Sequence, residues 1–230
     1  MNESVNSIVD LKNKLDIKKN NLNAFITKKN KKESSTVILE KSLMYYNYES
    51  NNIASCNQVH SNKVQFIKKS GIYQNTDGLV CAFDSKLILL IQTADCVPIF
   101  ILDDIKGLMG LVHSGWRGTY KNIIKSALSI FFDRGSKKNN IKIYLGPSIK
   151  QCCYEIKEDV FKYFDKKYII VKENSSYLNL IDKIQDDILL EGIDEHNVCS
   201  SKVCTFEDKN YYSYRRGDNG RIYSAIGLEK

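Results

Sequence analysis

The sequence predicts an α+β fold in a single domain, with mixed or antiparallel sheet layers covered by helices. Three observations support this. Between residues 64 and 113, short apolar segments follow one another with only tight turns between them, the pattern of consecutive strands. Segments with helical spacing come only afterwards, so the elements are not strictly alternating. The chain of 230 residues carries no internal repeat and no Pro-, Gly- or Ser-rich linker, which suits one domain with a sizeable core.

The elements follow in order. Residues 1–52 are polar, Lys- and Asn-rich and weakly patterned, and are read as a divergent N-terminal segment of the same domain whose core is 53–230. Strands are expected at 64–69, 78–83, 87–92, 97–102 and 107–113. A helix is expected from Thr119, as its cap, to Arg134: Ile123, Ile124, Ala127, Leu128, Phe131 and Phe132 share one face, and Gly135 stops it. A strand at 141–146 and helices near 156–167 and 178–191 come next. Near the end, "NYYSYRR" and "RIYSAIG" flank Gly217-Asp218-Asn219-Gly220, a hairpin signal.

Composition removes several functional classes. The longest aliphatic run, Leu87 to Ile91, is too short to span a membrane, and lysines occupy residues 1–20 where a secretory signal needs an apolar stretch. A cytoplasmic protein is expected. The net charge of +7 is spread over scattered lysines, with only a loose cluster at Lys28, Lys29, Lys31 and Lys32. Nucleic-acid binding would concentrate that charge on one face, so no nucleic-acid partner is expected. Seven cysteines without any C-x-x-C argue against a zinc ribbon and, in this compartment, against a disulfide framework. Most are expected to be small buried hydrophobes, and Cys152-Cys153-Tyr154 to be packing.

Three segments carry the chemistry: "NQVHSNKV" with His60, "QTADCVPIF" with Cys96 and "LVHSGWRGT" with His113. Each places one ligand type at a strand edge or turn. His113 in particular stands where a strand ends and a helix begins, a junction that fixes a side chain beside a helix N-terminus. Two imidazoles and a thiolate suit zinc, and three protein ligands leave a fourth position open for water or substrate. Two other readings remain open on these residues. Cys96 could be a nucleophile activated by His113, or all three could be ordinary loop and core residues.

The three segments, together with "TDGLV" (76–80), "GPSIKQCCYEI" (146–156), "KVCTF" (202–206) and "YYSYRRGDNGRI" (211–222), resemble the bacterial YfiH family, also called the DUF152 or laccase-domain family. The resemblance covers most of residues 55–228. It implies a sandwich-type fold and a zinc ion bound by His60, Cys96 and His113. It also implies purine nucleoside phosphorylase activity on adenosine, inosine and methylthioadenosine, with adenosine deaminase activity. This chain departs from the family in two places. "AFITKKNKKESS" (24–35) stands where the family has a Phe-Ser/Thr-Thr-Arg motif, with Lys28 in the arginine position, and Arg215-Arg216-Gly217-Asp218 stands for the usual Arg-Arg-Asp.

On this reading the partners are a purine nucleoside and phosphate, with Cys96 and His113 catalytic as well as metal-binding. Arg117, helped by Arg215 or Arg216, would hold the phosphate. Asp95 would transfer a proton or support a ligand, and Gln58 and Thr93 would hydrogen-bond the substrate. Trp116 is read as structural and His196 as a solvated loop residue. Copper is the less favoured metal, and a copper-dependent polyphenol oxidoreductase, like a Cys-His hydrolase, is an alternative use of the same site. Three histidines are too few for a multicopper centre. Met109 lies four residues before His113 on one strand, roughly 13 Å away, too far for an axial copper ligand.

Overall fold

Alternation along the strands shows how the layers stack. In the segment Ile88–Thr93, Ile88 and Leu90 join one apolar cluster while Leu89 and Ile91 join another. In Val97–Asp103, Ile99 and Ile101 point to a third cluster, and Phe100 and Leu102 point back to the second. Side chains alternate across a strand, so both segments are covered on both faces. The fold is therefore four layers: helix, sheet, sheet, helices.

The structure is a computed structural model describing residues 7–19 and 21–229; residues 1–6, 20 and 230 of the two predicted segments lie outside them. The strands are β1 (Ile8–Asp10), β2 (Leu22–Thr27), β3 (Ile53–Asn57), β4 (Val64–Phe66), β5 (Gly71–Gln74), β6 (Gly78–Ala82), β7 (Ile88–Thr93), β8 (Val97–Asp103), β9 (Leu108–Ser114), β10 (Lys142–Leu145), β11 (Glu155–Ile156), β12 (Ile169–Lys172), β13 (Ser175–Leu178), β14 (Val198–Ser200) and β15 (Ile222–Leu228). The helices are α1 (Ser35–Tyr45), α2 (Trp116–Tyr120), α3 (Ile123–Asp133), α4 (Glu158–Phe161) and α5 (Leu180–Leu190).

One sheet runs β1-β2-β15-β7-β3-β5 and the other β14-β10-β8-β9-β6-β4, both mixing parallel and antiparallel pairs; β11, β13 and β12 form a small third sheet. Between the two large sheets lie Leu22, Ile26, Leu89 and Ile222 from one side and Leu79, Phe100, Met109 and Leu111 from the other. Helices α3 and α5 cover the second sheet through Ile124, Leu128, Phe131, Ile184 and Ile188. Helix α1 and its C-cap Tyr46 cover the first, Leu43 and Tyr46 lying against Phe25 and Leu90. Burial of these side chains is the main stabilising term, since each contributes about 1.5–3 kcal/mol. Among the described residues, no helix is long and apolar enough to cross a membrane.

Several local expectations are corrected. The predicted helix from Thr119 is two helices. Thr119 lies inside α2, bonded to Gly115 O and Ser114 Oγ, while Asn122, at φ 57°, breaks the chain direction and caps α3 by accepting from Lys125 N at 3.2 Å. The helix expected at 156–167 shrinks to α4 and a 3-10 turn at Lys166–Tyr168, because residues 155 and 156 pair with β13 instead. The hairpin around 217–220 does not form. Both edges of β15 are taken by β2 and β7, and the preceding segment coils round Asp218, which accepts from Ser213 N at 3.0 Å and Lys29 Nζ at 2.8 Å. Of the cysteines, only Cys81 and Cys204 are buried.

Candidate active site

The site lies where four neighbouring strands end together. In the order β8-β9-β6-β4, the register pairs Val97 with Ser114 and Gly78 with Val112, and His113 N donates to Asp77 O at 2.7 Å. Cys96 immediately precedes β8, His113 stands at the end of β9, Asp77 immediately precedes β6, and the loop bearing His60 leads into β4. Residues far apart in sequence thus meet along one sheet end. The strand ladders place Cys96, Asp77 and His113, and Asp77 in turn holds the loop of His60.

Asp77 organises both histidines. Its fully buried carboxylate accepts from the backbone N–H groups of Val59, His60 and Ser61 at 3.3, 2.9 and 2.7 Å, and from Ser61 Oγ at 2.7 Å. These bonds hold His60 at φ 60°, a left-handed conformation that a non-glycine residue adopts only when its surroundings compel it. The same carboxylate bonds His113 Nδ1 at 2.9 Å, which leaves Nε2 of His113 to face the site. The imidazole rings of His60 and His113 are 4.8 Å apart between centroids, and His60 Nε2 is 3.9 Å from Cys96 Sγ.

The electrostatics favour a thiolate. Burial alone would push the Cys96 thiol up, but the His113 charge and hydrogen bonds from His113 and His60 outweigh it and bring the thiol to about 6. For His113, burial works against protonation, yet the Cys96 charge and the Asp77 hydrogen bond raise it to about 9. Burial opposes ionisation of Asp77 as well; hydrogen bonds from His113 and Ser61 outweigh it and hold the carboxyl at about 2.

One ligand atom each from His60, Cys96 and His113 lies within 4.8 Å of the others. Two imidazoles and a stabilised thiolate, with one imidazole backed by a carboxylate, fit a divalent metal of zinc type. Gly115 completes the fit, because a Cβ there would come within 2.9 Å of Cys96 Sγ and 3.0 Å of His60 Cδ2. Only glycine lets the backbone approach this closely.

Above the three donors opens a cavity of about 730 Å³, lined among others by Thr93, Trp116, Arg117, Tyr154, Arg215 and Arg221. That volume lies in the range of small-molecule sites. The Arg117 guanidinium stacks 4.3 Å over Trp116, and Trp116 stacks on Tyr163. Arg215 reaches the cavity while bonding Glu155 O at 2.8 Å. The Thr93 hydroxyl is buried without a partner among the described residues. Gln58 also lines the cavity, but its amide is engaged at both ends with the backbone of Gln92, at 2.8 and 2.9 Å. Asp95, at φ 84°, accepts from Thr205 Oγ1, Ser213 Oγ and Arg215 N, so it ties the cavity wall together. Arg216 does not line the cavity. Its guanidinium donates to the carbonyls of Thr205, Phe206 and Tyr211 and to Asp218. His196 sits apart, in an exposed 3-10 turn at Glu195–Asn197.

Residues 19–229 match the model of the family described as multi-copper polyphenol oxidoreductase laccase. The chain belongs to this laccase-domain family. It is 33% identical over 175 residues to the purine nucleoside phosphorylase of Borreliella burgdorferi, covering 74% of this chain and 76% of that one. It is 29% identical over 164 residues to adenosine deaminase RL5 from an unknown prokaryotic organism, covering 66% and 62%. The crystal structure of the hypothetical protein YfiH from Bacillus licheniformis superposes with a TM-score of 0.81 at 24% identity, covering 91% and 93%; this likeness concerns the fold.

Within this laccase-domain chain, sequence reasoning overlooked Asp77, Gly115, Tyr154 as a cavity residue, and Arg221. The signals were present but weak. "TDGLV" puts an acid just ahead of a buried strand, and "HSGWRG" puts a glycine beside the histidine. Arg221 directly precedes β15, whose Ile222 pairs with Thr93.

Proposed function

We propose that this chain is a zinc-dependent purine nucleoside phosphorylase acting on adenosine, inosine and methylthioadenosine, with adenosine deaminase activity at the same site. The observation that carries this reading is the placement of His60, Cys96 and His113 at the floor of a cavity rimmed by Arg117, Arg215 and Arg221. The names of the curated relatives point the same way.

His60, Cys96 and His113 would hold the ion, which when bound supplies a Lewis acid at the cavity floor. The chain's own groups do the rest. Three guanidinium groups face a cavity whose other ionisable walls include Asp95 and Cys96, so an anion is attracted and phosphate is held where it can attack C1′ of the ribose. The aromatic rings of Trp116, Tyr154 and Tyr214 offer faces on which a purine can stack. The unpartnered Thr93 hydroxyl is a hydrogen-bonding group left over for a ligand. Asp95 fixes the backbone of Arg215 and so positions it, while Arg216 braces the same loop from behind. A reducing cytoplasmic setting suits the seven free thiols.

A second reading, a Cys-His hydrolase, has its own support in the paired ionisation of Cys96 and His113. It expects activity that survives chelation and is abolished by thiol alkylation. Copper-dependent polyphenol oxidation fits less well, because only His60 and His113 of the three histidines reach the site. The deciding experiment incubates the protein with adenosine, with and without phosphate, and identifies the products. Adenine and ribose 1-phosphate appearing only with phosphate supports phosphorolysis, inosine in either case supports deamination, and unchanged adenosine in both contradicts the proposal.

A further inference from the structure

A second cluster of possible metal ligands lies outside the cavity. Cys152, Cys153, Cys204 and Glu207 each offer one donor atom, and all four atoms lie within 4.8 Å of one another. The sulfurs of Cys152 and Cys153 are 3.4 Å apart, near the roughly 3.8 Å that separates two thiolates on one tetrahedral zinc ion with Zn–S bonds of about 2.3 Å. Cys204 and Glu207 stand three residues apart in a turn, a spacing typical of paired ligands.

Burial pushes the Cys152 and Cys153 thiols up, whereas the surroundings of Cys204 favour its charge. Cys204 is buried, and its sulfur accepts from the backbone N–H of Lys150 at 3.5 Å. Burial pushes the Cys204 thiol up, but backbone N–H groups of Lys150, Glu207 and Phe206 outweigh this and bring it below its ordinary value. N–H groups aimed at a sulfur are the support that thiolate ligands receive in metal sites. Cys152 and Glu207 are exposed, so an ion has a path from solvent.

We infer that Cys152, Cys153, Cys204 and Glu207 form a second metal site, distinct from the His60/Cys96/His113 centre, that takes zinc with three sulfurs and one carboxylate oxygen. Four protein ligands close the coordination sphere, so this site is structural. It ties the turn at 148–154 to the turn at 201–207. Those turns already meet through the Ser148–Cys204 bridge and the Thr205 N to Ser148 O bond at 3.1 Å. They also carry Ile149 and Tyr154 of the cavity wall and Thr205, which holds Asp95. The ion would therefore stiffen this part of the cavity wall without touching substrate.

Cobalt(II) titration of the full chain, stripped of metal and kept under reductant, tests this, because thiolate-to-cobalt absorption reports each sulfur bound. The wild type is expected to take up about two equivalents and the H60A/C96A variant about one, with intense multi-thiolate absorption. C152S, at an exposed position, is expected to weaken the second uptake at least tenfold and to leave the first unchanged. A folded H60A/C96A variant that binds none, or a C152S variant titrating like wild type, would overturn the proposal. So would an intact mass showing a Cys204 disulfide in protein kept under reductant.

Discussion

Asp77 and His113 are joined twice: the Asp77 carboxylate bonds His113 Nδ1 at 2.9 Å, and the Asp77 carbonyl accepts from His113 N at 2.7 Å. The first contact sets the ring's tautomer and the second its strand register. Because the same carboxylate shapes the His60 loop, one buried acid positions two of the three proposed ligands.

Asp77→Asn is accordingly expected to weaken metal binding about 10–100-fold, the usual cost of losing a carboxylate behind a histidine ligand. The amide matches the carboxylate in shape but turns an NH2 group toward these donors, so circular dichroism checks the fold first. Competitive titration with a chelator of known affinity measures the loss. Unchanged affinity would mean that Asp77 does not orient the ligands.

Gly115→Ala tests the close approach of backbone and ligands. The added methyl group would press on Cys96 Sγ and His60 Cδ2, so metal affinity should fall by at least tenfold while α3 and the sheets remain intact. Circular dichroism separates this from unfolding. An alanine variant with wild-type metal affinity contradicts the geometry described for Gly115.

The arginines divide into two kinds. Arg117→Ala and Arg215→Ala are each expected to raise the KM for phosphate about 10–100-fold, since a hydrogen bond to a charged group contributes about 1.5–3 kcal/mol. Arg216→Ala instead leaves three carbonyls without their donor, so it should lower thermal stability first and activity only through the loosened loop. Phosphate kinetics beside melting curves distinguish the two; a KM effect for Arg216 with unchanged stability would reverse their assignment.

How much of this was legible in the sequence depends on the range of the interactions. The short apolar runs at 87–92 and 97–102 predict strands, and the helical spacing of Ile123 to Phe131 predicts a covering helix; both are local patterns and both stand. The residue types at 60, 96 and 113 suggested a metal, but their meeting depends on the order β8-β9-β6-β4, which no local pattern encodes. Asp77 was hidden for the same reason, as its partners lie 16 to 36 residues away. The false hairpin at 217–220 shows the converse error. Its turn residues are genuine, yet β15 had already found partners in β2 and β7, and Asp218 gathered Ser213, Arg216 and Lys29 around itself.

Asp218 also predicts a pH dependence. Burial opposes its ionisation, but Lys29, Ser213 N and Arg216 outweigh that and hold the carboxyl at about 2, below its ordinary value of 3.8. A carboxyl depressed in the folded state stabilises above the unfolded value, and that contribution disappears as pH falls through the folded one. Wild type should therefore melt higher than Asp218→Asn at pH 6, and the gap should close between about pH 4 and 2. A gap independent of pH would show that the ion pairs do not act as described.

The central claim is that one metal held by His60, Cys96 and His113 makes nucleoside cleavage possible. It is tested most directly by measuring metal content and phosphate-dependent purine release together on wild type, Cys96→Ala and His113→Ala, each shown to be folded. Loss of one metal equivalent together with the activity, in both variants, is the predicted result. Folded variants that keep their metal and full activity would contradict it.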